Sequence, residues 1–63
     1  MTVVICHETK KQYLLAEQTP VEALRKVRWV LDHLRPDDEA GTIHRTGSYY
    51  YIRHSGRTWA VRI

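Results

Sequence analysis

From Thr42 to Ile63 the chain carries Arg45, Arg53, Arg57 and Arg62, the tyrosines Tyr49, Tyr50 and Tyr51, and Trp59, with no aspartate or glutamate. Guanidinium groups hold phosphate and aromatic rings stack on bases, so these residue types together point to a nucleic-acid surface. They are also the types that dominate protein–protein hot spots, and composition alone leaves both readings open. His44 and His54 form a second set. Two imidazoles beside an arginine can cleave a phosphodiester, one as base and one as acid, while the arginine stabilises the charged transition state. Cys6, His7, His33, His44 and His54 are the available metal ligands, but no CxxC, HxxxH or HxH spacing joins them. No metal is therefore expected. No glycine-rich phosphate loop, nucleophile elbow or EF-hand loop is present, and no cofactor is expected.

A helix is the clearest element available to position these groups. Thr19-Pro20-Val21-Glu22 is a capping box with proline at the first helical position. Ala23, Leu24, Val27, Val30, Leu31 and Leu34 follow at helical spacing and predict a core stripe. Pro36 ends the element, because the residue before a proline is pushed out of helical conformation. The spacing thus predicts a helix over 20–35. Trp29 stands nearly opposite the stripe, with Arg25, Arg28 and His33 near it. Folding flat over neighbouring stems would make it structural. Exposed, the four residues would form an anchor for a larger protein.

Strands flank the helix. Val3–His7 and Gln12–Glu17 alternate as strands, and Glu8-Thr9-Lys10-Lys11 separates them. A turn centred on Thr9-Lys10 would pair Ile5 with Leu14 and Cys6 with Tyr13, with Cys6 a small buried hydrophobe. After the acidic linker 36–41 a three-stranded meander is expected over 42–63, with turns at Thr46-Gly47 and Ser55-Gly56. Those turns would set Ile52 opposite Trp59, Tyr50 opposite Val61, and Ile43 opposite Tyr50, all on one face. The other face would collect Thr42, His44, Tyr49, Tyr51, Arg53, Thr58, Ala60 and Arg62, with Tyr49 opposite Arg62. On this register His44 points to the outer face and His54 to the inner one. The expected fold is α+β: one small domain, ββαβββ, with the helix packed on an antiparallel sheet.

Sixty-three residues allow one small domain with a thin core. Hydrophobic residues make up 43% and charged residues 27%, a balance that argues against disorder. No apolar run reaches the length of a membrane span, and one cysteine cannot form an internal disulfide. A cytoplasmic protein is expected. The net charge of +3 is unevenly placed. Residues 1–35 are mildly basic, 36–41 are acidic through Asp37, Asp38 and Glu39, and 42–63 are purely basic.

The run Ala40-Gly41-Thr42-Ile43-His44-Arg45-Thr46-Gly47-Ser48, with Arg53-His54-Ser55-Gly56-Arg57 and Val61, resembles the HicA family of small ribonuclease toxins. The resemblance covers residues 20–63 and implies a fold like that of double-stranded-RNA-binding domains, facing RNA. Tyr49 occupies the position of the family's catalytic histidine. A phenol with a pKa near 10 is a poor base at neutral pH, so the resemblance implies the surface without the chemistry.

The sequence therefore reads first as a non-catalytic module that binds RNA or single strands. Its candidate residues are Tyr49, Tyr51, Arg53 and Arg62, with His44 and Arg57 at the margins. A small regulator or inhibitor of the kind phages and mobile elements encode is the alternative. It would contact a host enzyme through Arg25, Arg28, Trp29 and His33, or through the sheet face. A divergent ribonuclease comes third. A free edge strand also offers pairing with a second copy of the chain.

Overall fold

The computed structural model describes all residues, 1–63. The elements are β1 (Thr2–Cys6), β2 (Gln12–Leu15), α1 (Pro20–Leu34), β3 (His44–Thr46), β4 (Tyr49–His54) and β5 (Arg57–Arg62). One antiparallel five-stranded sheet runs in the order β2-β1-β5-β4-β3, with α1 across one face. The chain is thus a single α+β domain in the order ββαβββ, and α1 is not long and apolar enough to cross a membrane.

Thr19 is the N-cap as the sequence predicts, through its hydroxyl alone. Thr19 is extended at φ −118 and its hydroxyl accepts the Glu22 N–H at 3.3 Å. At the other end Arg35 caps the helix, its N–H donating to the Leu31 carbonyl at 2.7 Å. Helix and sheet enclose seven buried apolar residues: Val4, Cys6, Ala23, Leu24, Ile52, Trp59 and Val61. Leu15, Val27, Leu31, Ile43 and Tyr50 pack around them. Val30 and Leu34 depart from the predicted stripe and are exposed. The stripe is wider than the contact, in which α1 lies over β1, β5 and β4.

Two registers differ from those the turns predict, each by two residues. In the first hairpin Val3 faces Leu14, Val4 faces Tyr13 and Ile5 faces Gln12, rather than Ile5 facing Leu14 and Cys6 facing Tyr13. The cause is a wider loop. The Lys10 N–H donates to the Cys6 carbonyl at 2.8 Å, and Lys10 takes a left-handed φ of 63. A left-handed residue closing the loop allows it to span residues 7–10 instead of a two-residue turn. In the second hairpin Arg45, not Ile43, faces Tyr50, and Thr46 faces Tyr49. The turn is Gly47-Ser48, with positive φ at Gly47 alone (51), the pattern of a type II′ turn. Since both shifts are even, every side chain keeps its predicted face.

The Ser55-Gly56 turn falls where expected, and Tyr49–Arg62, Tyr50–Val61 and Ile52–Trp59 are direct partners. Both turn residues have positive φ (54 and 72), as a type I′ turn requires. The acidic linker is pinned to this turn: Asp37 Oδ2 accepts the Ser55 N–H at 2.7 Å and its Oδ1 accepts the Glu39 N–H at 2.9 Å. Those two backbone donors, Ser55 first, hold the Asp37 carboxyl below the usual aspartate range.

Candidate nucleic-acid interface

The sheet face away from α1 is uncovered. Strand alternation sends Leu14 and Gln12 of β2, Val3 and Ile5 of β1, and Thr58, Ala60 and Arg62 of β5 to that face. The same rule adds Tyr49, Tyr51 and Arg53 from β4, and His44 and Thr46 from β3. Ile5, Ala60, Tyr51 and His44 form one row across four strands. Ala60 has the smallest side chain of the row. A groove of about 560 Å³ opens there, lined by Ile5, His7, Lys10, Thr46, Tyr49, Tyr51, Thr58 and Ala60. No carboxylate lines it.

Within this face Tyr49 is 41% exposed and Tyr51 is half-buried. The Tyr51 ring stacks on His44 at 5.5 Å between centroids and 29° between planes, and Thr42 Oγ1 lies 3.3 Å from His44 Nε2. Arg62 stands directly opposite Tyr49. These four residues are brought together as the sequence suggests. Lys10 and His7 join them, which the sequence reading missed. They reach the groove because β1 pairs with β5, His7 N–H donating to the Thr58 carbonyl at 2.9 Å. Nothing local in the sequence announces that pairing.

Two expected members stand differently. Arg53 is on the outer face but is engaged. Its Nη1 donates to Thr58 Oγ1 at 2.8 Å and lies 3.7 Å from Glu8 Oε2. Glu8 Oε1 also accepts the Thr58 N–H at 2.8 Å. That backbone donor first, and the Arg53 charge among the smaller causes, keeps the Glu8 carboxyl below the usual glutamate range. The acid-free stretch 42–63 thus receives an acid from the first hairpin. Arg57 faces His54 across the β4–β5 ladder, so it belongs to the helix side at the turn end, away from the tyrosines.

His54 is buried on the helix face, 1% exposed. Its Nε2 lies 2.7 Å from Asp32 Oδ1 on α1, its Nδ1 lies 2.8 Å from Ser55 Oγ, and its carbonyl accepts from Trp59 Nε1 at 3.3 Å. His44 is exposed on the opposite face, so the two imidazoles cannot act on one phosphodiester. A second concavity, of about 390 Å³, lies beside His54 and mixes Arg35 and Arg53 with Asp37 and Glu39. Those carboxylates repel phosphate.

On the solvent side of α1, Trp29 is 56% exposed. His33 covers part of its ring at 4.3 Å between centroids, and Lys26 Nζ sits 4.5 Å from the ring centroid. Arg28 is turned away, donating to the Gly41 carbonyl at 3.2 Å and lying 3.7 Å from Asp32. Trp29 and His33 therefore form a small exposed aromatic site with Arg25 on the same surface, whereas Arg28 ties α1 to the linker. No group of three or more ligating side chains is placed to hold a metal.

No protein-family model matches this chain, and no curated protein or solved structure is significantly similar to it.

Proposed function

We propose that this chain is a non-catalytic module that binds single-stranded nucleic acid, RNA foremost, on its uncovered sheet face. The observation that carries the reading is the groove over Ala60. Tyr49 and Tyr51 present rings there, Lys10 and His7 present positive or protonatable groups, Arg62 stands opposite Tyr49, and the Glu8 carboxylate beside the groove is engaged by Arg53 and the Thr58 N–H. Every base has a π-face, so the exposed Tyr49 ring and the half-buried Tyr51–His44 stack accept successive bases with little sequence preference. Duplex recognition needs contacts across a wide rigid surface, whereas unstacked bases fit a shallow aromatic groove. The resemblance of residues 20–63 to the HicA toxins points toward RNA as well.

The test is fluorescence anisotropy of a labelled mixed-sequence RNA oligonucleotide, at low and at physiological salt. The neither-face tryptophans are unsuitable reporters: Trp59 is buried beneath α1 and Trp29 lies on its far side. Saturable binding that weakens with salt and is lost on Tyr51→Ala supports the reading. No binding at low salt overturns it.

The exposure of Trp29 favours a second reading, a small regulator docking on a host protein through Arg25, Trp29 and His33. A nuclease-treated pull-down that yields one stoichiometric partner, lost on Trp29→Ala, would support it.

A further inference from the structure

We propose that Ser55 is a nucleophile that takes a short acyl group from a thioester, which makes the β4–β5 turn a site of covalent modification. The turn lies at the helix side of the sheet, away from the groove, and the inference stands independently of the nucleic-acid reading.

Three side chains from two distant stretches of chain meet at this turn. Asp32 Oδ1 lies 2.7 Å from His54 Nε2, and His54 Nδ1 lies 2.8 Å from Ser55 Oγ. A carboxylate only accepts hydrogen bonds, so the neutral ring carries its proton on Nε2. Nδ1 then turns its lone pair to Ser55, whose hydroxyl donates to it. This order, carboxylate to imidazole to hydroxyl, is the one that activates a serine. Asp32 fixes the tautomer and stabilises the imidazolium that forms when the proton moves.

A buried histidine needs partners, but it does not need this backbone. Ser55 is half-buried and takes a φ of 54, a left-handed conformation that Asn, Asp and Gly adopt more easily. Asp37 Oδ2 holds the turn there by accepting the Ser55 N–H at 2.7 Å. Strain of this kind collects at reactive sites. The next amide, Gly56 N–H, makes no hydrogen bond within the chain, and the amide after a nucleophile is where an oxyanion is held. Both residues line the concavity of about 390 Å³. Pro36 is the only apolar side chain in its wall, so it suits a short acyl group and gives a long hydrocarbon chain nothing to bury against.

The burial of His54 selects the donor. The ring is 1% exposed, and its Nδ1 reaches Ser55 alone. It can take the Ser55 proton but cannot deliver it to a departing alkoxide. A thiol, with a pKa of about 8.5, leaves as the anion. Ser55 Oγ therefore bonds the acyl carbon, the C–S bond breaks, and the thiolate departs with that electron pair. The proton rests on the imidazolium, held by Asp32, and passes later to solvent. No water reaches the ring to hydrolyse the new ester, so each chain takes one acyl group.

The test incubates the intact chain with the acetyl thioester of N-acetylcysteamine and locates acetyl groups by mass spectrometry. Ser48, exposed in the Gly47-Ser48 turn and bonded to no imidazole, is the internal control. Tryptic peptides 46–53 and 54–57 separate the two serines. Ser55 should be acetylated about 100-fold faster than Ser48, and urea should abolish the difference. Asp32→Asn offers the ring an amide that donates as well as accepts. That frees the tautomer and should lower the Ser55 rate about tenfold or more against Ser48. A merely structural Asp32 would leave the ratio unchanged. The octanoyl thioester should label Ser55 more slowly than the acetyl one. Equal rates at Ser55 and Ser48, a ratio that survives Asp32→Asn in the folded variant, or faster labelling by the octanoyl thioester overturns the proposal. If that variant does not fold, the comparison of the two serines in the unaltered chain decides alone.

Discussion

His54 Nε2 lies 2.7 Å from Asp32 Oδ1, and this contact, at the turn end of β4, is the one side-chain hydrogen bond between the sheet and α1. A histidine whose ring is sealed from water must have both nitrogens partnered, and Asp32 and Ser55 partner them. The pair does structural work in a domain whose apolar core is only seven residues.

Removing one partner tests that role. Asp32→Ala leaves a buried ring nitrogen without an acceptor or donor and should destabilise the fold by about 1–3 kcal/mol in urea unfolding. Asp32→Asn keeps an oxygen and an amide at the same reach and should cost less. No loss for Asp32→Ala would show that the contact contributes nothing to stability.

Acid stability follows from two carboxylates. Glu8 and Asp37 both have folded pKa values below their ordinary values of 4.5 and 3.8. Each therefore favours the folded state above its unfolded pKa, and that contribution is lost as pH falls through the lowered folded value. The melting temperature should be nearly flat with respect to these two groups above about pH 5 and should fall as pH drops below about 4. Glu8→Gln with Asp37→Asn should flatten that limb in a pH series of thermal melts. An unchanged limb would assign acid unfolding to other groups.

The groove has its own arithmetic. Tyr51→Ala and Tyr49→Ala should each weaken RNA binding by about 1–3 kcal/mol, the range for one stacked base. Arg62→Gln should lower the slope of log affinity against log salt by about 0.7 if that guanidinium meets a phosphate on a single strand. Urea midpoints should move little for Tyr49→Ala, whose ring is exposed. Unfolding by that substitution would make the ring part of the core.

Lys10 offers a contrast between stability and binding. Its φ of 63 is strained for a residue with a Cβ, so Lys10→Gly should leave stability unchanged or raise it by up to about 1 kcal/mol. The same substitution takes a positive charge out of the groove and should weaken RNA binding. A fall in stability with no change in binding would reverse both assignments.

Much of this architecture was legible in the sequence, and the reasons are local ones. Thr19, Pro20 and Pro36 mark the helix because caps act within one turn of chain. Ser55-Gly56 fixes the β4–β5 register because a type I′ turn leaves no choice of partner. The outer-face placement of Tyr49, Tyr51 and Arg62 follows from that one turn and strand alternation, and that of His44 from the even length of the turn before β4. Where reasoning from residues failed, either backbone geometry or distance along the chain was the cause. No residue preference signals that Lys10 adopts a left-handed conformation. Glu8 and Arg53 meet only because β1 docks on β5, and their partner Thr58 is 50 residues from Glu8. The apolar stripe of α1 did not reveal how much of it the sheet would cover, and Val30 and Leu34 were therefore misassigned to the core.

The insertion of β5 between β1 and β4 also shapes how the molecule comes into being. During synthesis β1 and β2 emerge early, but the strand that completes β1 is made some 50 residues later, as the Glu8–Thr58 contact measures. Loop closure over that span precedes any reward from the contacts, so docking of the first hairpin is the slow, late step, whereas β4–β5 zips locally. Until then Val4 and Cys6 face water on an unfinished sheet. A nascent chain of this design is most exposed to aggregation just before its last strand arrives, and the lysines beside the first hairpin, Lys10 and Lys11, supply the charge that keeps such an intermediate apart.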